Sequence, residues 1–147
     1  MKKLAFLLLA LAAPLLVQWH TTAAAEGYQV IVNRANPATS ISKSELSGLL
    51  LKKVSKWDHG VAAEPVDLDS SSDIRESFSR DVHGRSVASI KNYWQRQIFS
   101  GRDVPPPEVG SDAAVISFVQ SRPGAVGYVS SQARVDDSVK VIPVSDG

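Results

Sequence analysis

The chain has no cysteine. This excludes disulfide bridges, a thiolate nucleophile, cysteine-ligated zinc, iron–sulfur clusters and lipid attachment through sulfur. Histidine is scarce too. His20, His59 and His83 make up the whole set, and they offer no metal-ligand spacing. A balance of 16 Lys+Arg against 15 Asp+Glu gives none of the broad basic footprint that a nucleic-acid binder needs. The G-x-S-x-G nucleophile elbow is missing. Aromatic residues are 7% of the chain, and Trp57 with Tyr93, the two candidates for exposed rings, are too few for a stacking platform. After residue 25 no stretch is long and apolar enough to span a membrane.

What is present begins with a leader. Lys2 and Lys3 are followed by the apolar run Leu4–Val17, broken only by Pro14, and then by Ala23-Ala24-Ala25 before Glu26. This is the layout of a cleavable secretory signal over residues 1–25, and the run is too short for a membrane anchor. The mature domain is then expected over residues 26–147, in the periplasm or secreted, with no stable membrane insertion after cleavage. It would have to rest on its core alone, without disulfides.

Along that domain, helical and extended patterns alternate. Tyr28–Asn33 reads as a buried strand closed by Asn36-Pro37. Ser42 and Glu45 form a capping box, Ile41 and Leu46 a hydrophobic staple, and Leu46, Leu49 and Leu50 an apolar stripe. Lys52 and Lys53 are expected to close that helix. Ala63–Leu68 reads as a strand, placed at an edge by Pro65. Ile74, Phe78 and Val82 define a second helix that ends at Gly84, with His83 as a charged partner of its C-terminal dipole. Val87, Ile90, Trp94 and Ile98 define a third helix, with Trp94 in the core and Gly101 as its stop. Ser111 or Asp112 caps a fourth, which turns Val115, Ile116 and Val119 inward. Ala125–Val129 and Val139–Val144 complete the strands. Helices alternating with short β-rich runs make an α/β fold, a small mixed sheet with about four helices.

The segment Asp69 to Arg75 carries the chemistry. Asp67, Asp69, Ser71 and Asp73 alternate as in a calcium loop, but Ser72 and Phe78 stand where Gly and Glu are required, so no metal is expected. For an anion the segment reads better. Ser70, Ser71 and Ser72 supply hydroxyls and amides where a strand runs into a helix, and Arg75 supplies a guanidinium fork. Ser70, Ser71, Ser72 and Arg75 are therefore the candidate oxyanion ligands. The competing reading is ordinary helix capping, with Arg75 in solvent or paired to Asp73 or Glu76. Neither a catalytic residue nor a cofactor is expected.

The order of motifs resembles the second lobe of periplasmic phosphate-binding proteins, the substrate-binding components of phosphate ABC transporters. Val30-Ile-Val-Asn-Arg-Ala-Asn-Pro37, Ile41-Ser-Lys-Ser-Glu-Leu46, Lys53 with Lys56-Trp57, and Pro123-Gly-Ala-Val-Gly-Tyr128 carry the likeness, which covers Gln29 to Ser130. The Tyr93-Trp94 helix leading into Phe99-Ser-Gly101 is similar to short, single-lobe secreted members. The resemblance implies one lobe of the type-II periplasmic binding-protein fold and inorganic phosphate or a similar oxyanion as ligand. Two departures stand out. The family has an Arg where Asp67 or Leu68 falls here, and S-G-T where Ser71-Ser72-Asp73 falls. The family also closes its ligand between two lobes, and the mature chain makes one. The alternative expectation is a module that binds no solute and docks on an envelope protein.

Overall fold

The computed structural model describes residues 27–147. The expected leader lies outside the described residues. β1 (Tyr28–Asn33) runs through the middle of a four-stranded sheet with the order β3-β6-β1-β7. It pairs antiparallel with β6 (Ala125–Ser130) on one side, Ile31 opposite Gly127, and with β7 (Val139–Ile142) on the other, Ile31 opposite Val141. β3 (Glu64–Pro65) adds in parallel to β6 at the edge, where the missing proline N–H breaks no ladder. Val30, Ile31 and Val32 are buried on both faces, as their unbroken β-branched run requires.

Four α-helices accompany the sheet among the described residues. Ser42 caps α1 (Lys43–Leu50) with the full reciprocal box, Glu45 N–H to Ser42 Oγ and Ser42 N–H to Glu45 Oε2. Ile41 and Leu46 are both buried. The helix stops at Leu50, and the chain reverses through Lys52 at a φ of 54°, so Lys52 and Lys53 lie past its last turn rather than closing it. β2 (Ile41–Ser42), which leads into α1, pairs in parallel with β8 (Val144–Ser145).

The strand expected over Ala63–Leu68 changes partners at Val66. The Val66 N–H still donates to Val126 in the main sheet, but the Asp67 N–H donates to Pro107. β4 (Asp67–Leu68) thus leaves the main sheet and pairs with β5 (Glu108–Val109), which follows the triple proline. The strand expected over Val139–Val144 divides in the same way at Pro143 into β7 and β8.

α2 (Asp73–Phe78) is capped by Ser72 and continues into a π-helical turn, Ser79–His83, ended by Gly84 at a φ of 64°. Ile74, Phe78 and Val82 face the core as expected. α3 (Val87–Phe99) is capped by Ser86 and rests on Leu51 through Ile90 and Trp94, a cluster separate from the main core. Its last turn runs beyond that support. Ile98 is 51% exposed, against the expectation from its spacing. α4 (Asp112–Gln120), capped by Ser111, lays Val115 and Val119 over β6 and β1, with Ile116 only partly covered.

Candidate functional site

The turn between β4 and α2 holds the predicted anion ligands. Ser70 and Ser72 are half-buried and Ser71 is exposed. The turn is tied by its own groups. The Ser72 N–H donates to the Asp69 carbonyl at 3.0 Å. The Asp69 Oδ1 accepts both the N–H of Ser71 at 2.9 Å and its hydroxyl at 2.7 Å. Those two donations hold the Asp69 carboxyl below its ordinary value. The Ser72 Oγ accepts the Arg75 N–H at 3.3 Å, the ordinary work of an N-cap. Ser70 takes part in none of these bonds.

Arg75 turns inward. Its side chain is only 4% exposed. Nη1 donates to the Leu68 carbonyl at 2.9 Å and to Glu108 Oε1 at 2.6 Å, while Nε lies 3.5 Å from Asp67 Oδ1. Both alternatives weighed from the sequence, solvent or pairing with Asp73 or Glu76, are replaced by this internal pairing. Asp67 also accepts the Tyr128 hydroxyl. Burial pushes the Asp67 carboxyl upward, against the pull of Arg75 and the Tyr128 donation. Burial and the same carboxylate push the Tyr128 hydroxyl strongly upward, so it stays a donor. Glu108 is the exposed member, its side chain 40% accessible. Two carboxylates thus face one guanidinium, on the edge where the sequence placed an anion. Glu108 was not legible as a partner of Arg75, because β5 joins β4 from 41 residues away, nor was Tyr128 as the partner of Asp67, because it comes from β6.

The imidazole of His83 is half-buried, with Nδ1 2.8 Å from the Ser47 Oγ and its ring edge-on to Phe78. Burial, with Arg75, Arg85 and Lys53 around it, lowers its pKa to about 4. It is therefore neutral near pH 7 and is not the charged dipole partner expected. Ser40 and Lys43 stand at S-x-x-K spacing, but Lys43 Nζ is held by Asp81 and Asp146, each at 2.8 Å. Trp57 is buried, its indole N–H donating to the Gly124 carbonyl, and is not a surface aromatic. Tyr93 donates its hydroxyl to the Leu51 carbonyl. His59 is exposed and stacks on Trp57.

Two open concavities lie elsewhere. One of about 430 Å³ runs between Pro37, Ile41, Leu49, Val54 and Trp57, and the other, of about 850 Å³, between Tyr28, Asp81 and Val141. Residues 70–75 line neither. Among the described residues no three His, Asp or Glu gather around a point that suits a metal. No described helix is long and apolar enough to cross a membrane.

No protein-family model matches the chain, and no curated protein matches it in sequence. Solved structures do match. An ABC-type phosphate transport receptor from Vibrio cholerae is similar with a TM-score of 0.64 at 24% identity, over 81% of this chain and 46% of that one. A phosphate ABC transporter substrate-binding protein from Clostridium perfringens, solved with phosphate bound, gives 0.65 at 21%, over 82% and 46%. A possible phosphate-binding protein from Planctomyces limnophilus gives 0.59 at 20%, over 82% and 42%. At these identities the fold is what is shared, and the chain spans less than half the length of each structure. The α/β lobe expected from the motif order is the lobe observed.

Proposed function

We propose that the chain is an exported, non-enzymatic solute-binding lobe of the phosphate-uptake kind. Its ligand is inorganic phosphate or a similar oxyanion, met at the Ser70-Ser71-Ser72 turn and the Arg75 guanidinium. The observation that carries this reading is the likeness of fold to phosphate-transport binding proteins, one of them solved with phosphate. The turn adds hydroxyls, and Arg75 is a cation beneath it. Ser71 is exposed on the surface of this lobe, where water competes for each donor. The affinity expected is on the order of 0.1–1 mM.

A second reading follows from the carboxylates. Asp69 sits on both donors of Ser71, and Glu108 sits on Arg75. A lobe whose donors are filled from within is suited to docking on an envelope partner rather than to carrying a solute. Calorimetric titration of the mature domain with phosphate at low salt decides between the two. Heat with a dissociation constant in the range above, weakened by added salt, supports the solute-binding lobe. No heat at millimolar phosphate assigns the chain to docking.

A further inference from the structure

We infer that the C-terminal end of α3 is a docking tip for an anionic lipid surface. Phe99, Ile98 and Val104 enter the headgroup region, and Arg96 and Arg102 meet the lipid phosphates. None of these residues belongs to the turn from Ser70 to Arg75. Among the described residues the three most exposed large apolar side chains are Phe99 at 90%, Val104 at 58% and Ile98. All three fall between residues 98 and 104, so they make one patch rather than scattered single residues. The chain between them is fixed. Gly101, at a φ of 67°, donates its N–H to the Ile98 carbonyl, and the Arg102 N–H donates to the Gln97 carbonyl, each at 3.0 Å. This is the closure of a helix end on a left-handed glycine. Ile90 and Trp94 seat the helix on Leu51 earlier in its length, so the patch projects past its own support.

The charge around the patch points to its partner. From Ser86 to Arg102 the chain has no Asp or Glu. Arg96 precedes Phe99 at i, i+3 spacing and Arg102 follows the helix stop, and both are exposed. Among the described residues neither forms an ion pair. Asp103, next in the chain, is turned to Lys52 at 3.5 Å and accepts the Val104 N–H. Free guanidiniums beside bare apolar side chains complement a surface that is negative outside and apolar beneath, which is the layering of a leaflet with anionic headgroups. Shape favours lipid over a protein groove. A helix that docks in a groove presents apolar anchors along i, i+3, i+4 and i+7. The exposed face of α3 instead carries Lys91, Asn92, Gln95 and Arg96, and only its last turn is apolar. Such a tip suits shallow, reversible entry at an interface. The export proposed above would place the chain beside such a surface.

The test is co-sedimentation of residues 26–147, without the apolar leader, with vesicles of equal parts phosphatidylglycerol and phosphatidylcholine, beside vesicles of phosphatidylcholine alone. Expected at low salt is partition into the anionic vesicles, at least about tenfold weaker on the neutral ones and weakened by added salt. Phe99→Ser should lower the partition at least about tenfold and Arg96→Gln about fivefold. Both side chains are exposed, so the variants keep the fold. Val61→Ser and Arg134→Gln make comparable exchanges at exposed positions outside the patch and should stay within about twofold of wild type. Binding to neither vesicle overturns the docking tip. So does equal binding to both, or binding that Phe99→Ser leaves intact. Self-association that Phe99→Ser abolishes, with no vesicle binding, also overturns it and assigns the patch to a second copy of the chain.

Discussion

Gly127 lies in the middle of β6, opposite Ile31 of β1, and has no room for a side chain. A Cβ there would stand 2.7 Å from Val115 Cγ1 and 2.8 Å from Val66 Cγ1, both in the core. Gly124, three residues earlier, would put a Cβ 1.8 Å from the Ala62 carbonyl oxygen. Between and after them, Ala125 and Val126 fill the sheet, and Tyr128 stacks on Phe78 with ring centroids 3.7 Å apart. The Pro-Gly-Ala-Val-Gly-Tyr run is therefore a packing motif first. Its one polar group, the Tyr128 hydroxyl, is spent on Asp67. Gly127→Ala should overpack the α4–sheet layer and cost about 1–3 kcal/mol, read from urea unfolding midpoints. A cost near zero would mean that α4 can lift off the sheet. The run was legible only through its resemblance, because the crowding at Gly127 comes from Val66 and Val115, which are distant in sequence. Arg75 was legible as a cation near the turn, but its inward direction was not, since its partners come from β4 and β5.

The helices were the elements best read from the sequence, because each carries its own start signal. Ser42, Ser72, Ser86 and Ser111 all accept the N–H three residues on, a purely local bond. Short strands have no such mark. The break at Val66 depends on which distant strand each half meets, and no local residue encodes that, whereas Pro143, with no N–H for a ladder, marks the other break locally. α3 shows what periodicity misses. Its stripe is regular, but only Val87, Ile90 and Trp94 are buried, while Ile98 is half-exposed and Phe99 is 90% exposed. Trp94, edge-on to Tyr93 and against Leu51, is the seat of this helix on the loop after α1. Trp94→Ala should cost about 3–5 kcal/mol. Because that cluster stands apart from the main core, amide exchange along α3 should speed up before exchange in β1 and β6 does. A uniform acceleration through the sheet would show instead that α3 and the core unfold as one unit.

For the whole molecule, one contribution to acid stability comes from a neutral imidazole between α1 and the π-helical turn. His83 meets the Ser47 hydroxyl and the Phe78 ring, and Arg75, Arg85 and Lys53 all oppose a charge on it. Its pKa in the fold is about 4, against an ordinary 6.5 in the unfolded chain. Above pH 6.5 both states hold the imidazole neutral, and stability is at its full value. As the pH falls from 6.5 toward 4, the unfolded chain takes a proton that the fold refuses, so stability falls through that window. Between pH 7.5 and pH 5 the loss from this group alone is about 2 kcal/mol. Asp67 acts in the opposite sense. Its carboxyl is raised in the fold, so it favours folding as the pH drops. A comparison of wild type with His83→Gln cancels that contribution, since Asp67 is present in both. Urea unfolding at pH 7.5 and pH 5 should show a markedly smaller loss in the variant. Equal losses would place a proton on His83 within the fold, and the Ser47 contact would then need a charged imidazole as its donor.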